Sequence, residues 1–218
     1  MLSTAMDPPT FIRANTKLLG VPLVPEIRLH IAEESLPIWQ KTEEELGAMN
    51  VPPPYWAFAW AGGQALARFL LDNPGQVVGR RILDLGAGSG IASIAAMKAG
   101  AAHATGSDID ALALAAIALN AEANGVQVET TAADLLGSAP DALDVVVVGD
   151  LFYERALAER VLTFVEAARQ RGAEVLVGDP RRSYFPSDRF RQVALYSVPV
   201  TRELEDAEIK RSAVWRLA

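Results

Sequence analysis

"ILDLGAGSG", residues Ile82 to Gly90, decides how the rest of the chain can fold. An apolar run with strand character leads into a loop that has glycine at every second position, Gly86, Gly88 and Gly90. Apolar residues with helical spacing follow from Ile91. A strand, a glycine loop and a helix in this order indicate a βαβ unit, in which the glycines let the backbone approach a ligand closely.

Downstream of the loop, short apolar runs alternate with helical stretches. The pattern predicts strands at 81–85, 103–108, 126–131, 145–149 and 174–178, with helices at 91–99, 110–124 and 155–171. This alternation predicts a parallel sheet with helices on both faces, and the four consecutive valines of 145–148 suit a strand buried on both sides. Two strand-like runs at 193–200 and 212–217 have no helix between them, so they should pair antiparallel.

The chain before this region has a different composition. Residues 1–10 look like a loose tail, residues 11–50 are interrupted by prolines, and "VPPPYWAFAWAGG" then brings prolines, aromatics and glycines together. A chain of 218 residues, half of them hydrophobic, fits one domain. We predict an N-terminal appendage over residues 1–60 that is not an independent domain, followed by the α/β domain over residues 61–218.

Composition disfavours several kinds of partner. The formal net charge of -7 argues against nucleic acid, because phosphate contacts need clustered Lys and Arg. The absence of cysteine excludes disulfides and Cys-ligated zinc, and with only two histidines we expect no metal site. No apolar run approaches the ~20 residues that cross a bilayer, and no signal peptide is evident, so we expect a cytoplasmic protein with no membrane partner.

Three acids stand at or just beyond the ends of the first three predicted strands of the sheet: Asp84, Asp108 and Asp134. In a doubly wound sheet, ligands bind beyond the carboxyl ends of the strands. A dinucleotide fingerprint would need glycine at Ile91, and Asp84 would repel a pyrophosphate. The acids would instead attract a ligand that carries an ammonium and a sulfonium, such as S-adenosylmethionine. Asp108 is placed to accept the ribose hydroxyls, and Asp134 could receive the adenine amino group.

Structural roles remain open for several of these residues. Asp84 and the glycines could serve only the turn, and Asp134 could be an ordinary loop residue. Asp110 stands where a helix N-cap belongs, so we assign it to the cap. Arg181 and Arg182 could be a solvated surface pair rather than a substrate-docking pair.

Several stretches carry a family resemblance. The segment from "ILDLGAGSG" to "ALNAEANGV" resembles the cofactor half of class I S-adenosylmethionine-dependent methyltransferases, and "YWAFAW", "GDLFYE" and "GDPRR" resemble, more narrowly, the lysine methyltransferases of the electron transfer flavoprotein beta subunit. The resemblance implies a Rossmann-like seven-stranded sheet in the order 3-2-1-4-5-7-6, S-adenosylmethionine as cofactor, and that beta subunit as protein substrate.

The residue pattern and the resemblance together give roles to individual residues. Asp150 and Tyr153 fall on the DxxY motif of the lysine methyltransferases, which makes them the candidate catalytic residues. The candidate cofactor-binding residues are Trp60, Asp84, Gly86, Gly88, Gly90, Asp108 and Asp134, and the candidate substrate-binding residues are Phe152 and Arg181.

The predicted position of Asp150, where a strand beside the first one ends, suits an acceptor amine. A lysine attacks only when neutral, and about one lysine in a thousand is neutral at physiological pH. Aromatic walls would favour the neutral form by desolvation, whereas Asp150 alone would favour the ammonium. We therefore expect Asp150 to bind the arriving ammonium and then hold an N–H so that the lone pair is aligned. Structurally, Asp150 could instead cap the following helix, with Phe152 and Tyr153 in the core.

Other functions fit parts of the sequence. Amino-methylating nucleic-acid enzymes use an (N/D)PPY turn, where this chain has Asp-Leu-Phe-Tyr. A methyltransferase acting on a ribosomal protein or a small molecule would share the same cofactor half. A cofactor-binding interaction protein without turnover is a further alternative, which the apparently complete set of acids disfavours.

Overall fold

The computed structural model describes residues 7–32, 53–137, 143–201 and 207–218. The helices are α1 (Pro8–Asn15), α2 (Ala61–Asp72), α3 (Ile91–Lys98), α4 (Ala111–Ala123) and α5 (Arg155–Gln170). The strands are β1 (Lys17–Val21), β2 (Val24–Ile31), β3 (Arg81–Leu85), β4 (His103–Ser107), β5 (Glu129–Thr131), β6 (Val145–Gly149), β7 (Glu174–Asp179), β8 (Phe190–Pro199) and β9 (Ile209–Leu217). Within these residues, no helix is long and apolar enough to cross a membrane.

Seven strands form one sheet in the order β5-β4-β3-β6-β7-β9-β8. Strands β3 to β7 pair in parallel, whereas β9 runs antiparallel to both β7 and β8. Counted from β3 as the first strand, the order is 3-2-1-4-5-7-6, which confirms the predicted topology and the antiparallel tail. Strand β6 therefore lies directly beside β3, and their carboxyl ends open on the same edge.

The valines of β6 are buried on both faces of the sheet, as predicted. Val145 and Val147 pack in the core cluster that includes α2 and α3, and Val146 and Val148 pack in the cluster that includes α5. All four are fully buried. Side chains alternate across a strand, so an unbroken apolar run needs helices on both sides.

One predicted strand is shorter than expected. Residues 126–131 have strand character, but β5 covers only Glu129–Thr131. The N–H of Val126 donates to the carbonyl of Ala121 at 3.1 Å. This bond closes the end of α4, so the first part of the segment completes a helix instead of extending the sheet.

The N-terminal segment is more regular than predicted. Helix α1 begins inside the expected loose tail, because Asp7 caps it by accepting a hydrogen bond from the N–H of Thr10 at 3.3 Å. Strands β1 and β2 form an antiparallel hairpin. The side chain of Asn120 in α4 accepts from the N–H of His30 in β2 at 2.7 Å. Residues 33–52 of the predicted appendage lie outside the described residues, and its boundary at residue 60 stays a prediction.

Helix α2 begins directly against the carboxyl ends of β6 and β7. A Cβ on Gly62 would lie 2.2 Å from the carbonyl oxygen of Gly178, and a Cβ on Gly178 would lie 2.1 Å from the carbonyl oxygen of Gly62. Real Cβ atoms do not approach backbone oxygens so closely, so this contact requires glycine on both sides. The two glycines thereby place the first turn of α2 beside the end of β6.

We predict that Gly62→Ala destabilises the protein, although alanine normally favours a helix by about 1 kcal/mol. Overpacking of this kind costs about 1–3 kcal/mol, which corresponds to a fall in Tm of roughly 2–12 °C for a chain of this size. Thermal unfolding followed by circular dichroism measures the change. Gly75→Ala is the control, since a Cβ there meets nothing within 4 Å. Equal melting temperatures for the two variants would contradict the packing argument.

Candidate functional site

A cavity of about 480 Å³ opens at the carboxyl ends of β3, β4 and β6. It is bounded by the glycine loop, by the turn that precedes α2 and by the segment that follows β6. Its lining includes Tyr55, Trp56, Phe58, Trp60, Gly63, Asp84, Gly86, Gly88, Ser107, Asp108, Ile109, Asp110, Asp134, Leu135, Asp150, Leu151, Tyr153, Arg160 and Arg182. Most of the predicted site residues therefore meet in one place.

The glycine loop has a backbone conformation that favours glycine. Gly86, Gly88 and Gly90 have φ angles of 62°, 51° and 76°, which other residues rarely adopt. A Cβ on Gly86 would also strike the Leu151 side chain at 2.6 Å. At Gly88 the nearest atom to such a Cβ is 3.8 Å away, so the loop backbone is open there toward the cavity.

Asp84 connects β3 to the helix that follows the loop. Its Oδ2 accepts hydrogen bonds from the N–H of Ser93 at 2.9 Å and from the Ser93 hydroxyl at 2.7 Å. Burial raises the pKa of Asp84 to about 6, and these two bonds oppose the rise. The residue is thus both a support for the loop and an acid in the cavity wall, so the structural and cofactor-binding interpretations of Asp84 are compatible.

Asp108 holds the glycine loop from the end of β4. Its Oδ2 accepts from the N–H of Gly88 at 2.9 Å, and its Oδ1 accepts from the N–H of Asp110 at 3.0 Å. Asp110 itself accepts from the N–H of Leu112 at 2.9 Å and is the N-cap of α4, as predicted. Each carboxylate oxygen of Asp108 has a second lone pair, so Asp108 can still accept from a ligand hydroxyl in the cavity.

Asp134 lies at the cavity wall but has a protein partner. It forms an ion pair with Arg160 of α5 at 2.6 Å, and it accepts from the N–H of Leu136 at 3.1 Å. The Arg160 bond lowers the pKa of the Asp134 carboxyl. The side chain is about half exposed, at 51%. A role toward adenine stays a prediction, and any such ligand would share this carboxylate with Arg160.

Asp150 occupies a constrained position just after β6. Its φ of 57° is unusual for a residue with a side chain, and its N–H donates to the carbonyl of Gly178 at 3.0 Å. Its Oδ2 accepts from the N–H of Gly63 at 2.9 Å, in the first turn of α2. Asp150 is therefore a helix cap, but of α2 and not of the helix that follows it in sequence.

Arg182, which the sequence analysis considered only together with Arg181 as a surface or substrate-docking pair, completes the surroundings of Asp150. Its Nε and Nη2 donate to Oδ1 of Asp150 at 3.0 and 2.7 Å. Its guanidinium lies over the Trp60 ring, 5.5 Å from the ring centroid. The predicted substrate residue Arg181 differs, since its guanidinium lies over Trp215 and the residue does not line the cavity.

Asp179 is a buried acid near Asp150 that the sequence analysis did not identify as a site residue. It is fully buried, and its Oδ1 accepts from the N–H of Arg182 at 2.7 Å. Its Oδ2 has no hydrogen-bond partner in the part of the chain that the structure describes. Burial, and then the charge of Asp150, raise the pKa of Asp179 to about 7. The signal for it was available, because Asp179 ends a strand in the same way as the acids that were recognised.

Aromatic rings form the rim of the cavity near Asp150. Tyr55 lies between Tyr153 and Trp60, with ring centroids 5.7 and 6.0 Å away, and Phe58 contacts Trp60 at 5.8 Å. Tyr153 is 44% exposed, and burial of part of its ring raises its pKa. Tyr153 therefore lines the cavity near Asp150, as its predicted role requires. Trp60 lies at the same rim, and its predicted role toward the cofactor stays a prediction.

Phe152 does not contribute to this rim, which corrects the prediction that it binds substrate. It is fully buried and packs against Phe185 and Phe190, with centroid distances of 5.3 and 6.2 Å. Successive residues after β6 point in different directions, so Tyr153 reaches the cavity while Phe152 enters the core below α5. The alternative that both aromatic residues lie in the core is therefore confirmed for Phe152 and wrong for Tyr153.

The charges around the cavity suit a cation that lacks phosphate. Five acids line it, Asp84, Asp108, Asp110, Asp134 and Asp150, against the two arginines Arg160 and Arg182, each of which is paired with one of those acids. In addition, the fully buried indole of Trp56 borders the cavity, and its N–H has no partner among the described residues. An amino-acid-bearing nucleoside fits this wall, whereas a pyrophosphate does not.

A second hollow, of about 650 Å³, lies at the opposite ends of the strands. In its lining, Arg80 and Arg216 both contact Glu174, at 2.8 and 2.9 Å. It lies on the edge of the sheet away from the glycine loop, so it is not the candidate site.

We predict that Asp179→Asn changes how stability depends on pH. The pKa of Asp179 is near 7 in the folded protein and 3.8 for the ordinary group, so the protonated folded form is favoured at low pH. The contribution of protonated Asp179 to the stability of the fold is fully present below pH 3.8 and is lost as the pH rises through about 7. The Tm of Asp179→Asn minus that of the wild type should therefore increase from pH 5 to pH 8.

Differential scanning calorimetry at several pH values measures this difference. Asp144→Asn is the control: Asp144 pairs with Arg81 at the surface, and its pKa is lowered, so its difference from the wild type should be flat over the same range. A flat difference for Asp179→Asn as well would contradict the assignment of a raised pKa to this group.

Comparisons with known proteins agree with the geometry. A family model described as "Ribosomal protein L11 methyltransferase (PrmA)" matches residues 65–172. The chain is 37% identical over 219 residues to the "Electron transfer flavoprotein beta subunit lysine methyltransferase" of Xenopus laevis, which covers 98% of this chain and 88% of that protein. It is 35% identical over 215 residues to the Homo sapiens protein of the same name, which covers 94% and 80%.

Solved structures share the fold at low sequence identity. The ribosomal protein L11 methylase of Lactobacillus delbrueckii subsp. bulgaricus superposes with a TM-score of 0.52 at 20% identity, over 74% of this chain and 81% of that chain. The magnesium protoporphyrin IX methyltransferase of Synechocystis PCC 6803, described with bound SAM, gives 0.52 at 18% identity, over 72% and 78%. These structures show the fold. The identity of 37% and 35% to the two relatives named above, over 98% and 94% of this chain, shows that the chain belongs to the electron transfer flavoprotein beta subunit lysine methyltransferase family.

Proposed function

We propose that this protein transfers methyl groups from S-adenosylmethionine to lysine side chains of the electron transfer flavoprotein beta subunit. The observation that carries the proposal is the convergence of the glycine loop and Asp108 on one side of a single cavity with Asp150 and Tyr153 on the other. Family membership supports the substrate, since the relatives are named for it. A cytoplasmic location stays a prediction.

The cofactor side of the cavity is formed by the ends of β3 and β4. The open backbone at Gly88 would let the cofactor approach closely, Asp108 would accept from its ribose hydroxyls, and Asp84 would add negative charge to this wall. When bound there, S-adenosylmethionine supplies an electrophilic methyl group on a positively charged sulfur. The acids on this side attract that positive charge, because attraction between opposite charges is strong where water is partly excluded.

The acceptor side must orient an amine and exclude water. Tyr55, Trp60 and Tyr153 form an aromatic entrance that an extended lysine side chain can cross with its methylenes against the rings. Asp150, only 9% exposed, stands at the inner end of this entrance and can accept an N–H from the amine. Positioning of this kind, with reacting atoms about 3–3.5 Å apart, supplies a large part of the acceleration in such reactions.

A ribosomal protein remains the second candidate substrate, because two relatives with that function match the chain. The "Ribosomal protein L11 methyltransferase" of Xanthomonas axonopodis pv. citri is 42% identical over 88 residues, which is 34% of this chain. A match of that extent fits the shared cofactor half and says little about the acceptor. The beta subunit is therefore the preferred substrate.

Methyl transfer from labelled cofactor tests the function directly. Purified protein, labelled S-adenosylmethionine and purified electron transfer flavoprotein should give label on lysines of the beta subunit, identified by mass spectrometry. Asp150→Ala should abolish the label while cofactor affinity stays nearly normal, because the proposal assigns Asp150 to the amine and not to the cofactor. Glu159→Ala, an exposed acid on α5, should transfer as well as the wild type.

Label on a purified ribosomal protein but not on the beta subunit would favour the second candidate. An active Asp150→Ala variant would remove Asp150 from the chemistry. Because Asp150 also caps α2, its alanine variant should lose about 1 kcal/mol of stability, and melting curves must show that it is folded at the assay temperature.

We predict that Asp108→Ala weakens cofactor binding by about 10- to 100-fold, the usual effect of losing hydrogen bonds to a charged group. Isothermal titration of S-adenosylmethionine measures the affinity without turnover. Glu122→Ala, an exposed acid on α4, is the matched control and should bind normally. Normal affinity in Asp108→Ala would count against the ribose role.

A further inference from the structure

The carboxylate of Asp150 is heavily occupied before any substrate arrives. Oδ2 accepts from the N–H of Gly63 at 2.9 Å, and Oδ1 accepts two bonds from Arg182 at 2.7 and 3.0 Å. Both charged side chains are mostly buried, with exposures of 9% for Asp150 and 18% for Arg182. Solvent screens such a pair less than an exposed one, so the guanidinium offsets most of the charge of Asp150 at this end of the cavity.

This charge balance affects an acceptor lysine in a definite direction. An uncompensated carboxylate would stabilise the ammonium form of the amine, which cannot attack a methyl group. A carboxylate whose charge is offset can still accept an N–H, but it gives the ammonium much less stabilisation. The arrangement around Asp150 thus separates the task of orienting the amine from the task of keeping it neutral.

We propose that Arg182 is a positioning residue for methyl transfer: it holds the Asp150 carboxylate in place and offsets its charge, so that the acceptor lysine binds in its neutral form. The inference rests on the proposed function, since it concerns the same acceptor site. Arg182 acts through Asp150 and by its position over Trp60, where the ring limits the places its guanidinium can occupy.

The backbone of Arg182 is fixed by Asp179, which supports this role. The N–H of Arg182 donates to Oδ1 of Asp179 at 2.7 Å, and Asp179 is fully buried at the end of β7. Because its pKa is raised to about 7, Asp179 adds less than a full negative charge near neutral pH. The loop that carries Arg182 is thus anchored to the sheet without a second full charge beside Asp150.

The other charged groups near this site do not replace Arg182. Those that line the cavity or face Asp150, among the described residues, are Tyr55, Asp84, Asp108, Asp110, Asp134, Tyr153, Arg160, Arg182 and, behind the wall, Asp179. Arg160 is the other cation in this set, and it is paired with Asp134. Removal of Arg182 would therefore take away the guanidinium that pairs with Asp150, while the amino end of α2 would remain as a source of positive potential.

The pH dependence of transfer to the beta subunit tests the inference. In Arg182→Gln, kcat at pH 7.5 should fall about tenfold, and the pH of half-maximal kcat should rise by about one unit or more, because the acceptor ammonium loses a nearby charge of the same sign and its pKa rises. The rate should recover at high pH, and KM at pH 7.5 should not rise. Arg182→Lys keeps the charge and should restore part of the neutral-pH rate.

Two controls separate this role from a general loss of structure. Arg191→Gln changes an exposed arginine on β8, which does not line the cavity, and should keep the wild-type pH profile. Calorimetric titration of the beta subunit at pH 7.5 gives a readout without turnover, in which Arg182→Gln should bind at least as tightly as the wild type. S-adenosylmethionine affinity should also be unchanged.

Several results would overturn the inference. An Arg182→Gln variant with an unshifted pH profile, or with a lower rate at every pH, would make Arg182 merely structural. A faster rate at neutral pH would mean that Arg182 blocks the acceptor and has to be displaced. If the wild type itself transfers no methyl group to the beta subunit, the proposed function fails and this inference fails with it.

Discussion

The carboxylate of Asp150 joins three parts of the molecule that are distant in sequence. It follows the end of β6, and it accepts a hydrogen bond from the N–H of Gly63 in the first turn of α2. It also accepts two hydrogen bonds from Arg182, in the loop after β7. This meeting is possible only because Gly62 and Gly178 have no side chains to separate the helix from the strands. The close contact of α2 with the sheet thus sets where the acceptor end of the cavity can lie.

The cavity consequently has two electrostatic halves. Around the glycine loop, Asp84 and Asp108 have hydrogen-bond donors but no cationic partner among the residues that the structure describes, so this half attracts a positively charged ligand. Around Asp150, the charge is offset by Arg182. The first arrangement favours binding of a sulfonium, and the second favours a neutral amine. Both halves are needed for one reaction, because the electrophile is charged and the nucleophile must not be.

How far the site could be predicted varies with the kind of signal. Asp84 and Asp108 follow from a strand pattern and a glycine loop, both of which are local, and they lie where expected. Phe152 was placed in the substrate wall because it is adjacent to Tyr153, yet it enters the core. Adjacent residues in a turn can face opposite environments, and composition does not reveal which one faces the cavity. Arg182 matters through contacts that no local pattern encodes, whereas Asp179 ends its strand and could have been recognised from that position.

The sequence by itself determined the parallel sheet, its antiparallel tail and the edge at which a ligand binds, because alternating apolar periodicity and glycine spacing are properties of consecutive residues. Only the tertiary structure decided that Arg182 rather than Arg181 contacts Asp150, and that Asp150 caps α2 instead of the helix that follows it. These contacts depend on how the start of α2, the end of β6 and the loop after β7 pack at one edge of the sheet. A difference of one position in a turn changes which side chain reaches the site, and that direction is set by packing.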